Sequence, residues 1–555
     1  MIQFVGKSTW GVFLLLLIVG YFWGYFESHI DLLNHSITSG LWFDQGKSPL
    51  WNATGFLLPA LDCWVNKVFG EFDFYALAMV FVNSVSLSLM FWSLFKLSSK
   101  LEVRWKYLLA ISAWLVVATP QIMTLNSTRI AITGTFSVLL FMSLNDNWRG
   151  MPGATRVFFV LLFTSILALI RMEAVVLIGV AVGVPLFAYY NWSYKFLSPV
   201  VLGLVVMVSY NLSLEAYAPE SMKVYYYYEH ELIDRENVCV DDAYSRHLMD
   251  DNTLTLQNTE DSLSLQATAL IYHSLPTTGA LQTSFMLDIL CLEKTNRLFD
   301  WLLGGINLES WWNCFQLSIE ESKRGLWALA AALFSLLGIG FAYGFHRITF
   351  YAAVLFLVPA LLMFHIALPA RFVVPYYTCY SSICLIFACL ARPKLTSYAV
   401  GFGLIITSCL IFDESQWIME RRVKEDVIKD HITGIRKIVT EERLFVVLQT
   451  NSPDLLLPQK VRVDHAPVDS VLFMDEYFTY RMFYKDWELA CNCNPKSLTN
   501  RLQFAAETDA AYISTEPGVV FSSKYTKLIH NVSVSFKSQA DFGNSFIRYR
   551  VQHTE

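Results

Sequence analysis

Trp10-Gly-Val-Phe-Leu-Leu-Leu-Leu-Ile-Val-Gly-Tyr-Phe-Trp-Gly-Tyr-Phe26 is an unbroken apolar run, and Glu27-Ser-His-Ile-Asp31-Leu-Leu-Asn-His35 follows it directly. A run of that length spans a bilayer, so the ionisable groups just beyond it stand at a membrane interface. Asp31 and His35 share one face if the stretch is helical. Two readings follow: Glu27, His29 and Asp31 form a polar collar where a hydrophobic helix emerges into water, or Asp31 is a general base at the membrane surface.

The remainder of the chain supports a membrane setting. Of 555 residues, 55% are hydrophobic and only 16% charged, with a mean hydropathy of +0.42, so lipid rather than water solvates most of it. A net charge of -6 is not the footprint of a nucleic-acid binder, which shows a basic face. Lys7 before the first apolar run resembles a signal peptide, but no small-residue cleavage pattern follows, and the run is expected to stay as a first helix. Cys379, Cys384, Cys389 and Cys409 sit in apolar runs as core residues. Cys239, Cys291, Cys314, Cys491 and Cys493 lie in polar regions whose pairing the spacing leaves open.

Apolar runs predict membrane helices near 9–26, 73–97, 106–121, 128–144, 155–171, 173–191, 196–214, 325–344, 348–366, 371–391 and 395–412, about eleven spans. Lys and Arg are retained on the cytoplasmic side, which orients the set. With the N-terminus inside, Lys7, Lys96, Lys100, Arg104, Lys106, Arg149, Arg156, Lys195, Arg347, Arg392 and Lys394 all fall in cytoplasmic segments, whereas the 121–127 turn carries no basic residue. The Asp31 stretch, the 215–322 loop and the C-terminal part then face one external compartment. Domain 1–412 is expected to be a transmembrane unit with external loops 27–72 and 215–322, and 413–555 a soluble extracytoplasmic α/β domain. Within the latter, Gln416–Val439 reads as an amphipathic linker helix, and Leu444–Leu448, Ala511–Ser514 and Val532–Phe536 read as strands. The four tyrosines Tyr225–Tyr228 and the pair Trp311-Trp312 read as an interfacial belt. No internal repeat, phosphate-binding glycine loop or zinc pattern is present.

Arg171 and Glu173 interrupt Leu167-Ala-Leu-Ile-Arg-Met-Glu-Ala-Val-Val-Leu, and His365 and Arg371 interrupt a second apolar region. A charge facing lipid at mid-bilayer costs about 2.5–3.5 kcal/mol on insertion scales, so these residues belong at external turns or in a wet cavity. Arg171 pairing with Glu173 merely to close a turn is the structural alternative. An acid with several fixed cations at the outer boundary of the lipid suits transfer of a sugar from a polyprenyl phosphate. A carboxylate takes the proton of the attacking hydroxyl, and Arg, Lys or His stabilises the departing phosphate.

His29-Ile-Asp31-Leu-Leu-Asn34, followed by Ser39-Gly40-Leu-Trp-Phe-Asp-Gln-Gly46-Lys47-Ser-Pro49-Leu50-Trp51, resembles the first external loop of GT-C glycosyltransferases, closest to the terminal arabinofuranosyltransferase-like branch. Leu169-Ile-Arg171-Met-Glu173 is similar to that family's Thr-Arg-Pro-Glu signature. Pro219-Glu-Ser-Met-Lys223 is similar to its Pro-Asn-Thr-x-x-x-Lys region, and His365 to Pro375 to its late His…Arg-x-x-x-Pro element. The resemblance covers roughly residues 9–412. It implies Asp31 as catalytic base, Arg171, Arg371 and Lys223 near the donor phosphate, and His29, His35, Glu173 and His365 lining the pocket. Two departures stand out: Asn126-Ser-Thr-Arg129 replaces an acidic loop, and Leu368-Pro-Ala precedes Arg371 where relatives carry an Asp. These missing carboxylates argue against a divalent metal, so neither metal nor cofactor is assigned.

The expectation is therefore a polytopic α-helical, GT-C-like protein of the cytoplasmic (inner) membrane. It would act as an inverting glycosyltransferase with a polyprenyl-phosphate-linked donor and a cell-envelope glycan or glycolipid acceptor. The rivals are a transporter or flippase of lipid-linked glycans, which predicts polar groups near the midplane and inverted repeats, and a non-catalytic membrane scaffold.

Overall fold

In the computed structural model the described residues are 2–27, 61, 64–65, 68, 74–144, 153–184, 186, 194–217, 323–344, 346–362, 370–449, 460–462, 470–473, 498–530, 532–543 and 546–553. Helices α1 (Ile2–Trp23), α2 (Phe74–Ser98), α3 (Lys106–Ala118), α4 (Ser127–Leu144), α5 (Gly153–Ile178), α6 (Ser198–Tyr217), α7 (Lys323–Tyr343), α8 (Arg347–Leu362), α9 (Ala370–Ala391) and α10 (Thr396–Lys437) form a bundle. Among the described residues, six helical stretches are long and apolar enough to cross a membrane, and three shorter apolar helices accompany them.

The bundle exposes many large apolar side chains and buries small polar ones within its apolar core. Trp10, Phe158, Leu337, Phe350 and Ile405 are exposed, while Ser84, Ser86, Ser112, Thr133, Ser137, Ser381 and Ser382 are buried. Lipid removes the hydrophobic reason to hide Leu or Phe, so helices associate through close backbone approach and interhelical hydrogen bonds. Ser137 Oγ donates to the Ser86 carbonyl at 3.0 Å, Ser382 Oγ to the Ala113 carbonyl at 2.6 Å, and Trp114 Nε1 to the Leu87 carbonyl at 2.9 Å. Gly134 permits a close approach: a Cβ there would lie 2.5 Å from Leu167 Cδ2 and 2.8 Å from Ser86 Oγ.

Two expected spans, 106–121 and 395–412, differ in detail. α3 has 13 residues, extended by a 3-10 turn over Thr119–Gln121, because Pro120 cannot continue the α-helical hydrogen bonding. The two spans expected to meet at Arg171 are two helical segments that break there, with Arg171 at φ -158°, ψ 88°. Leu167 abuts Gly134 and Gly183 comes near Leu139, so the chain runs along α4 to Arg171 and doubles back. The last span and the expected linker helix are one helix of 42 residues, since no proline or helix cap interrupts α10 where its composition turns charged.

Beyond α10 the chain forms a five-stranded sheet. Its strands are β3 (Val446–Leu448), β4 (Val471–Phe473), β5 (Ala511–Thr515), β6 (Val534–Gly543) and β7 (Phe546–His553). β3 pairs parallel with β4 and β5, whereas β7 pairs antiparallel with β5 and β6. Helices α11 (Leu498–Glu507) and α12 (Glu516–His530) pack on it, and the charged half of α10 lies against β6. Buried Ile428, His431, Ile432 and Ile435 form the inner stripe of that helix.

Candidate functional site

The first helix ends at Gly24, whose N–H still donates to the Gly20 carbonyl at 3.1 Å. A Cβ on Gly24 would lie 2.2 Å from that carbonyl oxygen, so this exit geometry demands glycine. The next residues, β1 (Tyr25–Phe26), pair parallel with β2 (Thr124–Leu125), and the Glu27 N–H donates to the Leu125 carbonyl at 2.9 Å. This short ribbon brings the end of α1 against the start of α4, where Asn126 caps the helix by accepting from the Thr128 N–H at 2.9 Å.

Four charged side chains meet around that ribbon. Arg129 Nη2 donates to Glu27 Oε1 at 2.5 Å, and Arg324 Nη2 reaches the same oxygen at 3.3 Å. Arg324 Nη1 donates to Glu414 Oε2 at 2.6 Å, and the Thr124 hydroxyl donates to Glu414 Oε1. Arg129 Nη1 also caps the Pro120 carbonyl at 2.5 Å. The order is cation, anion, cation, anion, so the cluster is formally neutral, and each charge is taken from water only where an opposite one faces it. Arg324 and Arg421 flank the Trp417 ring at 5.4 and 4.9 Å. Trp417 in turn meets Tyr25 edge-on.

These groups come from separate helices but stand at one end of the bundle. Glu27 follows α1, Arg129 and Arg324 occupy the first turns of α4 and α7, and Arg371 the first turn of α9. Glu414 lies 18 residues into α10, about 27 Å along its axis at 1.5 Å per residue, close to the roughly 30 Å thickness of a hydrocarbon core. Arg371 lies close enough to Arg129 for the two cations to repel, although hundreds of positions separate it from the first helix. Pro375 cannot donate to the Arg371 carbonyl, which loosens the first turn of α9 at this place.

Arg171 and Glu173 stand at the reversal of α5, 3.4 Å apart, with side chains 20% and 42% exposed. They form a half-open pair, unlike Arg129 and Arg324, whose side chains are only 1% and 6% exposed. Of the residues singled out from sequence, Arg171, Glu173 and Arg371 are thus described, and Arg371 stands near the buried cluster. Asp31, His29, His35, Lys223 and His365 lie outside the described residues. Among the described residues no group of His, Cys, Asp and Glu is arranged to hold a metal ion.

Sequence reasoning missed Arg129, Arg324 and Glu414 as one cluster with Glu27. The signal was present: each is a charge at the edge of an apolar helix, and alternating helix direction brings those edges together.

No protein-family model matches the sequence, and no curated protein matches it. Among solved structures, ArnT from Cupriavidus metallidurans in the apo state aligns over 98% of this chain and 97% of that chain, with 14% identity and a TM-score of 0.39. A likeness at that level carries no argument about the activity of this chain.

Proposed function

We propose that this chain is a membrane-embedded inverting glycosyltransferase that moves a sugar from a polyprenyl-phosphate-linked donor to a cell-envelope glycan or glycolipid. It would sit in the cytoplasmic membrane with its N-terminus inside. The active site and the C-terminal 413–555 domain face outward in this reading, and that domain guides the acceptor. The observation that carries it is the gathering of Glu27, Arg129, Arg324, Arg371 and Glu414 at one end of an apolar bundle. A transporter needs such groups near the midplane, whereas Glu414 stands near one boundary.

In the reaction, Asp31 takes the proton of the acceptor hydroxyl as its oxygen bonds to the anomeric carbon from the face opposite the phosphate. The carbon–oxygen bond to the phosphate breaks and its electron pair leaves with the polyprenyl phosphate, so the configuration inverts. Asp31 is four residues beyond Glu27, so their Cα atoms lie within about 14 Å by chain length alone. Arg129 and Arg324 face carboxylates within the cluster, and Arg171, Arg371 and Lys223 meet the developing phosphate charge in the roles that the family resemblance gives them. His29, His35, Glu173 and His365 line the pocket.

The test is Asp31→Asn in purified protein supplied with a lipid-linked sugar. Removing a general base lowers the rate by about 10²–10⁴-fold. Undiminished glycan product would remove the enzyme assignment, and labelled lipid crossing liposomes without sugar transfer would replace it with the transporter.

A further inference from the structure

Lys460-Val461-Arg462 falls between β3 and β4 in the chain, yet it contacts the mouth of the helical bundle. The Val461 N–H donates to the Gly24 carbonyl at 3.0 Å, and Lys460 bridges antiparallel to Tyr25. The Val461 side chain is wholly buried, with a methyl 3.1 Å from where a Cβ on Gly24 would stand. The Arg462 guanidinium lies 5.2 Å from the centre of the Phe22 ring. β1 is therefore flanked on both sides, by β2 from the bundle and by a segment that the C-terminal sheet supplies. Two residues past this ladder Glu27 enters its clamp, and four further on stands Asp31.

We propose that Val461 is a positioning residue for the reaction: its backbone N–H fixes the exit of α1, seven residues ahead of Asp31 in the sequence. This rests on the reading of Asp31 as the base. The end of a helix leaves carbonyls without intrahelical partners, and an exit held by backbone hydrogen bonds on two edges has little freedom to swing. A general base is sensitive to such freedom, since a misplacement of about 1 Å costs a rate on the order of 10²-fold. The C-terminal domain then contributes to turnover as well as to acceptor guidance.

The test compares Val461→Pro, which removes the N–H, with Val461→Ile, which keeps it, in full-length protein in nanodiscs with a polyprenyl-phosphate sugar. Val461→Pro is expected to lower kcat by about 10- to 100-fold with donor and acceptor KM unchanged, while Val461→Ile retains the wild-type kcat. A wild-type kcat in Val461→Pro overturns the proposal, as does a raised acceptor KM at constant kcat. If Val461→Pro does not fold, replacing Val461 by its α-hydroxy acid analogue, which removes the N–H and keeps the side chain, is expected to lower kcat by about 10-fold at constant KM, and a wild-type kcat there overturns it equally. Asp31→Asn is assayed alongside: an active Asp31→Asn removes the functional reading itself, whereas an inactive one beside a fully active Val461→Pro removes this inference alone.

Discussion

Arg129 Nη2 stands 2.5 Å from Glu27 Oε1 although 102 positions separate them in the chain. The contact ties the residue that follows β1 to the first turn of α4. Arg324 extends it to Glu414, so α1, α4, α7 and α10 share one ionic cluster.

Breaking that cluster from one side leaves an uncompensated buried charge. Arg129→Met is expected to destabilise the protein by about 3–5 kcal/mol, read from denaturant unfolding in detergent. Arg129→Met combined with Glu27→Leu should recover much of the loss, because the orphaned carboxylate goes too. A strictly additive double variant would show that the two residues are not coupled.

The proposed function gives Arg171 and Arg371 the donor phosphate. A charge-assisted hydrogen bond contributes about 1.5–3 kcal/mol, so Arg171→Gln and Arg371→Gln should each lower donor kcat/KM by about 10- to 100-fold. Arg171→Lys, which keeps the charge but loses the planar fork, should fall between. Steady-state kinetics with varied donor checks this, and wild-type kcat/KM in both Gln variants would dismiss the assignment.

Acid should loosen the C-terminal sheet from the end of α10. Arg548 grips Glu442 through both nitrogens, at 3.0 and 2.7 Å, and its hydrogen bonds hold the Glu442 carboxyl below the usual carboxylate range. A lowered folded-state value means that the stabilisation is fully present above the ordinary glutamate range, about pH 4.3. It is lost as pH falls through the folded value. Glu442→Gln should flatten this acid limb in thermal melts taken at falling pH. The effect is small, since the pair is partly exposed and solvent screens it.

Two glycines should respond differently to alanine. At Gly24 the new Cβ meets the Gly20 backbone oxygen at 2.2 Å, which cannot move aside, whereas at Gly134 the nearest atoms are the ends of Leu167 and Ser86. Overpacking costs about 1–3 kcal/mol. The larger loss is expected for Gly24→Ala, and thermal unfolding of the two variants orders them.

Much of the bundle was legible in the sequence because lipid rewards uninterrupted apolar length, and α2, α4, α7 and α9 begin and end within a few residues of the hydropathy boundaries. α10 was divided wrongly at Asp413 because composition marks where solvent changes, not where backbone hydrogen bonding stops. Arg171 was legible for a related reason: a charge amid apolar residues needs a special place, and the chain reverses there. The Glu27–Arg129–Arg324–Glu414 cluster was not, because its members are spread over the chain and only helix packing chooses which boundary charges meet. Arg129 drew attention only as part of a loop lacking an acid, while its full burial depends on Pro120 and Glu27 arriving from other elements.

α10 is a single shaft about 63 Å long at 1.5 Å per residue, more than twice the depth of a hydrocarbon layer. Its lower half stands among the membrane helices and its upper half is braced by the sheet, so it works as a gauge of both height and azimuth. Inserting one residue between Trp417 and Lys424 would turn everything above by about 100° and lift it by about 1.5 Å. Val461 would then miss Gly24 even though every local fold remained intact.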